Sequence, residues 1–199
     1  KKPMPSSGGL AIVIAFSVAT LVFMPMIVQA TFHGKSYFDY IWPVVLGGGI
    51  IALTGLIDDV KELKPLAKMS GIVLAASLIW LLTDFRLNHF KIPFGGPLLH
   101  FAPWLSFILT VIWIISITNA VNLIDGLDGL VSGVSIISLV TMGIVSYFFL
   151  PDHNVFLTLT IFVLVMSIAG FFPYNYHPAI IYLGDTGALF IGFMIAVLS

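Results

Sequence analysis

The sequence contains no cysteine and very little charge. Of its 199 residues, 9% are Asp, Glu, Lys or Arg, against 59% that are hydrophobic. Without cysteine there can be no disulfide, zinc–thiolate site or thiol nucleophile. The shortage of charge is more restrictive. Soluble domains carry about 25% charged residues, and a chain this apolar cannot cover a water-facing surface. A soluble globular protein, a disordered chain and a nucleic-acid binder are all excluded, the last also by a net charge of −1. What remains is an integral membrane protein with several spans.

The apolar residues fall into separable runs at 8–30, 41–57, 69–82, 104–121, 130–150, 155–172 and 188–199. Pro25 is an expected kink in the first, the second carries Gly47, Gly48 and Gly49, and the third is short. None shows the two-residue alternation of a barrel strand, so helices are predicted. The expected fold is an all-α polytopic bundle of about seven spans forming one transmembrane domain over 1–199. A small hairpin on the outer surface is predicted around 87–101, where Pro93, Gly95, Gly96 and Pro97 interrupt short apolar stretches. The chain starts at Lys1 without methionine and stops at Ser199 inside an apolar run. A core fragment truncated at both ends is therefore expected.

Successive spans make the connecting segments alternate sides. One face receives 1–7, 58–68, 122–129 and 173–187; the other receives 31–40, 83–103 and 151–154. Lys1, Lys2, Lys61, Lys64 and Lys68 lie on the first face, and Lys35, Arg86 and Lys91 on the second. The positive-inside rule makes the first face cytoplasmic. It also collects Asp58, Asp59, Glu62, Asp125, Asp128 and Asp185, whereas His33, His89, His100 and His153 fall on the other. Carboxylates without imidazole or thiolate suit a hard cation, Mg²⁺ or Mn²⁺, whose coordination is completed by substrate phosphates.

Three motifs carry these acids. Asp58 and Asp59 follow the second run, either as a solvated pair balanced by lysines or as a cation site; the helix dipole disfavours acids at a C-terminus and argues mildly against the first. Asn119, Asn122, Asp125 and Asp128 recur every three residues, a polar stripe on an apolar span. Gly126 and Gly129 then put the last acids on a loop or helix break. Polar groups at membrane depth are costly enough to favour a functional role here. Gly184–Gly187 reads either as an ordinary helix start or as a phosphate site whose neighbouring carboxylate holds a metal. The aromatic stretch 171–178 reads as an interfacial belt, and its His177 as structural.

With GLIDDVKEL (55–63) and Lys68, NAVNLIDGLDGL (119–130) and FFPYNYHPAIIYLGDTGALFIGF (171–193), the sequence resembles the polyprenyl-phosphate N-acetylhexosamine-1-phosphate transferases. Its nearest likeness is to the bacterial branch that initiates teichoic acid and similar surface polymers. The resemblance implies transfer of a sugar phosphate from UDP-N-acetylglucosamine to undecaprenyl phosphate, releasing UMP, at the cytoplasmic face of a bacterial plasma membrane. It implies Mg²⁺ held by Asn122 and Asp185, with Mn²⁺ as an alternative. It places Asp58, Asp59 and Asp125 in catalysis, with Lys68 on phosphate. It gives substrate contacts to Asn119, Asp128, Asn175 and Tyr182, the tyrosine stacking on uracil. A homodimer is compatible with it. The family's DDxxD reads DDVKE here, and its histidine-bearing loop and first span are missing from this sequence. Two other readings have distinct requirements. A CDP-alcohol phosphotransferase needs Ala-Arg where Ser132-Gly133 stands. A secondary transporter predicts inverted repeats and midplane acids.

Overall fold

The computed structural model describes residues 7–28, 34, 36–92, 96–149 and 155–199. The elements run α1 (Gly8–Val18), a π-helical segment (Ala19–Phe23), α2 (Met24–Ile27), α3 (Tyr37–Lys61), α4 (Pro65–Leu82), β1 (His89–Lys91), β2 (Leu98–His100), α5 (Pro103–Leu123), α6 (Leu130–Phe149), α7 (Val155–Asn175) and α8 (Gly184–Leu198). Among the described residues, with Gly8–Ile27 taken as one, six helices are long and apolar enough to cross a membrane. The protein is an all-α polytopic membrane protein. Among the described residues the one sheet is the expected hairpin, which pairs His89 with His100, Phe90 with Leu99 and Lys91 with Leu98. The expectations that rest on Lys1, Lys2, His33, Lys35, Pro93, Gly95, Asp152 and His153 lie outside the described residues.

Several helices outrun their apolar runs. α3 continues through Asp58 and Asp59 to Lys61, and α4 begins at Pro65. The segment 58–68, expected as a loop, is therefore two helix ends joined by Glu62, Leu63 and Lys64. An apolar run marks the hydrocarbon depth, whereas backbone hydrogen bonding does not stop at its edge. Glu62 closes α3 in the left-handed region at φ 48°, and Pro65 opens α4, where its missing N–H is harmless. α7 likewise passes Pro173 and ends at Asn175. The irregularity expected at Pro25 sits one turn earlier, as the π-helical segment. Pro25 has no N–H for the Leu21 carbonyl and its ring crowds that oxygen, so a widened turn relieves both. Met24 N–H accordingly bonds to Ala19 O.

The seventh apolar run begins earlier than expected and forms α8, whose 15 residues span about 22 Å. α8 lies at the centre of the bundle. From Thr186 to Leu198 every residue is buried except the half-buried Ile195. A helix that is apolar on all sides has to be enclosed, and α3, α5 and α1 pack around this one while α4 spans α3 and α5. Small residues permit the close approach. A Cβ on Gly55 would come 2.6 Å from Thr186 Cα, one on Gly48 2.8 Å from the Phe190 ring, and one on Gly192 2.9 Å from Thr118 Cα. Gly9 meets the Gly187 backbone so closely that no side chain fits, and Gly9 N–H donates to Leu183 O at 2.8 Å. α6 and α7 form an antiparallel pair, and α7 rests on α1.

At the hairpin end the helices are stitched by aromatic contacts. Tyr37 and Phe156 meet edge to face at 5.4 Å, and Tyr40 meets Phe156 at 5.7 Å and Phe85 at 5.5 Å. The buried Tyr37 hydroxyl pairs with Thr160 Oγ1 at 3.0 Å. The other end is polar.

The three consecutive glycines of α3 are not equivalent. Gly48→Leu should lower stability by about 1–3 kcal/mol through overpacking. Gly49, whose Cβ would meet nothing within 4 Å, should tolerate alanine and gain up to about 1 kcal/mol from helix propensity. Thermal unfolding of the detergent-solubilised variants measures both.

Candidate active site

Helix ends bring the three sequence motifs together. Asp58 and Asp59 stand in the last turn of α3, Lys68 in the first turn of α4, Asn119 and Asn122 in the last turns of α5, and Asp185 in the first turn of α8. Only the two asparagines of the three-residue ladder are helical. α5 stops at Leu123, and Asp125 and Asp128 sit in the turns that follow, as the glycines suggested. Gly129 closes those turns at φ +71°, which a side chain would strain.

One carboxylate oxygen is the hub. Asp185 Oδ1 accepts from Lys68 Nζ at 2.7 Å and from Asn122 Nδ2 at 2.6 Å. Lys68 Nζ also lies 2.7 Å from Asp58 Oδ2, with Lys68 17% and Asp58 10% exposed. Carboxylates at a membrane edge repel one another, and the ammonium between them offsets that repulsion. Asp58 Oδ1 accepts from Leu63 N–H at 2.7 Å and so fastens the turn that ends α3.

Asp59 turns the other way. It accepts from Asp185 N at 2.8 Å, Thr186 N at 3.1 Å and Thr186 Oγ1 at 2.6 Å. The N-terminus of α8 is thus capped by a residue of α3. Gly184–Gly187 is a helix start, as one reading of the sequence had it, but neither Asp185 nor Thr186 caps it, and these two backbone N–H groups are taken by Asp59 and so are not open to a phosphate. The signal was Thr186, whose hydroxyl completes the cap.

The remaining expected site residues fall into two groups. Asp125, Asp128, Asn175 and Tyr182 line one cavity of about 260 Å³. Asp128 accepts from Ala179 N–H at 3.1 Å and pairs with His177 Nδ1 at 3.0 Å. The Ala179 bond, helped by His177, holds the Asp128 carboxyl below its ordinary range. His177, read from sequence as structural, is 79% exposed and pairs with a residue of the cavity wall. Asn175 is committed elsewhere: it is buried, accepts from Ser132 Oγ at 2.9 Å and donates to Ile181 O at 3.2 Å. Its amide shapes the cavity wall by tying α6 to the 176–183 segment. Asn119 donates to Ile115 O at 2.9 Å and reaches Met69 Sδ at 3.5 Å, next to Lys68 but outside the hub.

Asp125 has the most perturbed carboxyl. Partial burial, then the charges of Asp185 and Asp59, push its pKa up to about 6. No cation is bonded to it among the described residues, so ionisation there is uncompensated.

The donor chemistry fits a hard divalent ion. Asn122 bonds Asp185 through its nitrogen, which leaves its amide oxygen without a partner among the described residues, as is Asp185 Oδ2. Both are oxygen ligands. No group of three His, Cys, Asp or Glu among the described residues could hold a metal by itself. A cation here would take much of its coordination from phosphate and water, as Mg²⁺ commonly does.

A sequence profile described as glycosyl transferase family 4 matches residues 41–199. The chain belongs to this family. Within glycosyl transferase family 4 its relatives share a chemical theme in their names. The chain is 36% identical over 198 residues to the probable undecaprenyl-phosphate N-acetylglucosaminyl 1-phosphate transferase of Bacillus subtilis, covering all of this chain and 51% of the relative. It is 35% identical over 204 residues to the decaprenyl-phosphate N-acetylglucosaminephosphotransferase of Mycolicibacterium smegmatis, covering 100% and 50%. It is 33% identical over 218 residues to the phospho-N-acetylmuramoyl-pentapeptide-transferase of Staphylococcus epidermidis, covering 100% and 62%. The chain spans about half the length of the first two.

The raised Asp125 carboxyl has a measurable consequence. Its pKa lies above the ordinary 3.8, so its contribution to stability is full below about pH 4 and is lost as pH rises through about 6. Asp125→Asn lacks that loss. Melted in EDTA, the variant should match the parent near pH 4 and exceed it above pH 6 by about 1–2 kcal/mol after allowance for solvent screening. A constant difference across this range would show that the charge is not the cause.

Proposed function

We propose that the protein transfers a sugar-1-phosphate, N-acetylglucosamine-1-phosphate in the first instance, from a UDP-sugar to undecaprenyl phosphate, with release of UMP. The observation that carries this reading is the joining of Asp58, Lys68, Asn122 and Asp185 at one end of the bundle through a single lysine and a single carboxylate. Two anionic substrates, one soluble and one anchored in lipid, can meet only at such a surface. The more numerous lysines on this face support a cytoplasmic site in a bacterial plasma membrane.

In the reaction, an oxygen of the lipid phosphate attacks the sugar-linked phosphorus. The bond from that phosphorus to the bridging oxygen breaks, and UMP leaves with the electron pair. A phosphomonoester is already largely ionised at neutral pH, so charge neutralisation and alignment contribute more than proton removal. Mg²⁺, or Mn²⁺ in its place, would be held by Asn122 and Asp185 and would neutralise the diphosphate. Lys68 carries its charge to the reacting phosphates from between Asp58 and Asp185. With Asp185 assigned to the cation, Asp58, 2.7 Å from Lys68, is the group that would accept a proton or attack phosphorus. Asp128, with Tyr182 on the same cavity, would receive the nucleoside, Asp125 beside them would serve the reaction as a further carboxyl, and Asn119 and Asn175 shape the walls. The product would start a surface polymer such as teichoic acid.

The test is incubation of the intact purified protein with radiolabelled UDP-N-acetylglucosamine, undecaprenyl phosphate and Mg²⁺. UMP release should require the lipid and vanish in EDTA. Asp185→Asn should lower it by about 100-fold or more. Release that ignores EDTA overturns the metal assignment, and release of CMP from a CDP-alcohol overturns the reaction class.

A further inference from the structure

We infer that Asp59 is a positioning residue and not a catalytic one: its carboxylate is the N-terminal cap of α8, and through that joint it sets where Asp185 stands. The part of this inference that concerns a cation rests on the proposed reaction; the cap itself does not.

The carboxylate accepts three hydrogen bonds from two successive residues of α8, at 2.6–3.1 Å. A carboxylate has about four lone-pair sites, so little acceptor capacity remains for a proton from substrate. Two of these bonds satisfy N–H groups that the start of a helix would otherwise leave unpaired, the third comes from the Thr186 hydroxyl, and together they put negative charge at the positive end of the helix dipole. Asp58, one residue earlier, points instead to Lys68. Two adjacent acids therefore have different partners and different work.

The joint extends beyond the carboxylate. Gly55 stands one turn before Asp59 on the same face of α3, and a Cβ there would strike Thr186 Cα and N at 2.6 and 2.7 Å. Gly48, two turns further back, faces Phe190. α3 thus offers α8 a narrow slot that ends in a cap. Sliding α8 by one residue would lose the fit of Gly55 and the bonds to Asp59 together. Asp185 is held on its backbone nitrogen by α3 and on its carboxylate by α4 and α5. Releasing the backbone would misplace the carboxylate.

The experiment uses the intact enzyme and compares Asp59→Asn, Thr186→Val and the double variant. Asn keeps the shape but turns an NH₂ group toward N–H donors, and Val removes only the hydroxyl bond. Three quantities are read: thermal unfolding in EDTA, Mn²⁺ affinity from the loss of the free-ion electron paramagnetic resonance signal, and kcat and KM. Each single variant should unfold at a lower temperature, and the double variant should be no worse than Asp59→Asn, because both changes break one joint. Mn²⁺ affinity should fall by about 10–100-fold in Asp59→Asn and in the same direction in Thr186→Val, as expected for a group that orients a ligand. Additive losses in unfolding temperature overturn the cap. Lost turnover with unchanged Mn²⁺ affinity and unfolding temperature makes Asp59 catalytic and overturns the inference. Should Asp59→Asn fail to fold, Thr186→Val decides alone: unchanged Mn²⁺ affinity overturns the inference, and reduced affinity supports it. Absence of Mn²⁺ binding by the parent protein would defeat the proposed reaction, while the coupling between Asp59 and Thr186 would still decide the cap.

Discussion

The ammonium of Lys68 is the interaction on which the polar end of this bundle depends. Asp58 and Asp185 come from helices far apart in sequence, and nothing apolar would hold them side by side. A single cation 2.7 Å from each makes their approach favourable. The other two acids of the cluster are handled differently. Asp59 is neutralised by a helix N-terminus, which carries only partial charge but offers fixed donors. Asp125 has neither a lysine nor a helix start, and its carboxyl shifts toward the neutral form. Three environments within one cluster yield an ion pair, a cap and a perturbed acid.

Much of this was legible in the chain. Runs of apolar residues gave the helices because backbone polar groups inside a membrane have no other way to be satisfied. The proline- and glycine-containing segment 87–101 gave the hairpin because turn residues and short apolar stretches have few alternatives. Asn122, Asp125 and Asp128 stood out as candidates because polar residues at that depth are costly, and the structure brings Asn122 onto Asp185. Other features were not. Helix ends beyond the hydrocarbon edge leave no trace in hydropathy, so Lys68 looked like a loop residue and is the first turn of α4. The cap on α8 joins residues more than a hundred positions apart, and a local reading assigned that role to Asp185 or Thr186. Asn175 sat in an aromatic stretch that suggested a membrane belt, yet it is buried and bonded on both sides of its amide.

The two ends of the bundle are fastened by different chemistry. Around Tyr37, Tyr40, Phe85 and Phe156, edge-to-face rings and one buried hydroxyl pair hold α3 to α7. Such contacts need no charge and are indifferent to ions. At the other end the fastenings are carboxylates, a lysine and an asparagine, which a phosphate or a cation can compete for. The division leaves the polar end open to competition by ions and the hairpin end indifferent to them.

The enclosure of α8 also bears on biosynthesis. It is the last of the described elements to leave the ribosome, yet it occupies the middle. Helices α3, α4 and α5 precede it in the chain, and the fit of Gly48 and Gly55 of α3 against Phe190 and Thr186 forms only when it arrives. The packing of α3 and α5 at the centre of the bundle therefore waits on a helix that is made after both of them.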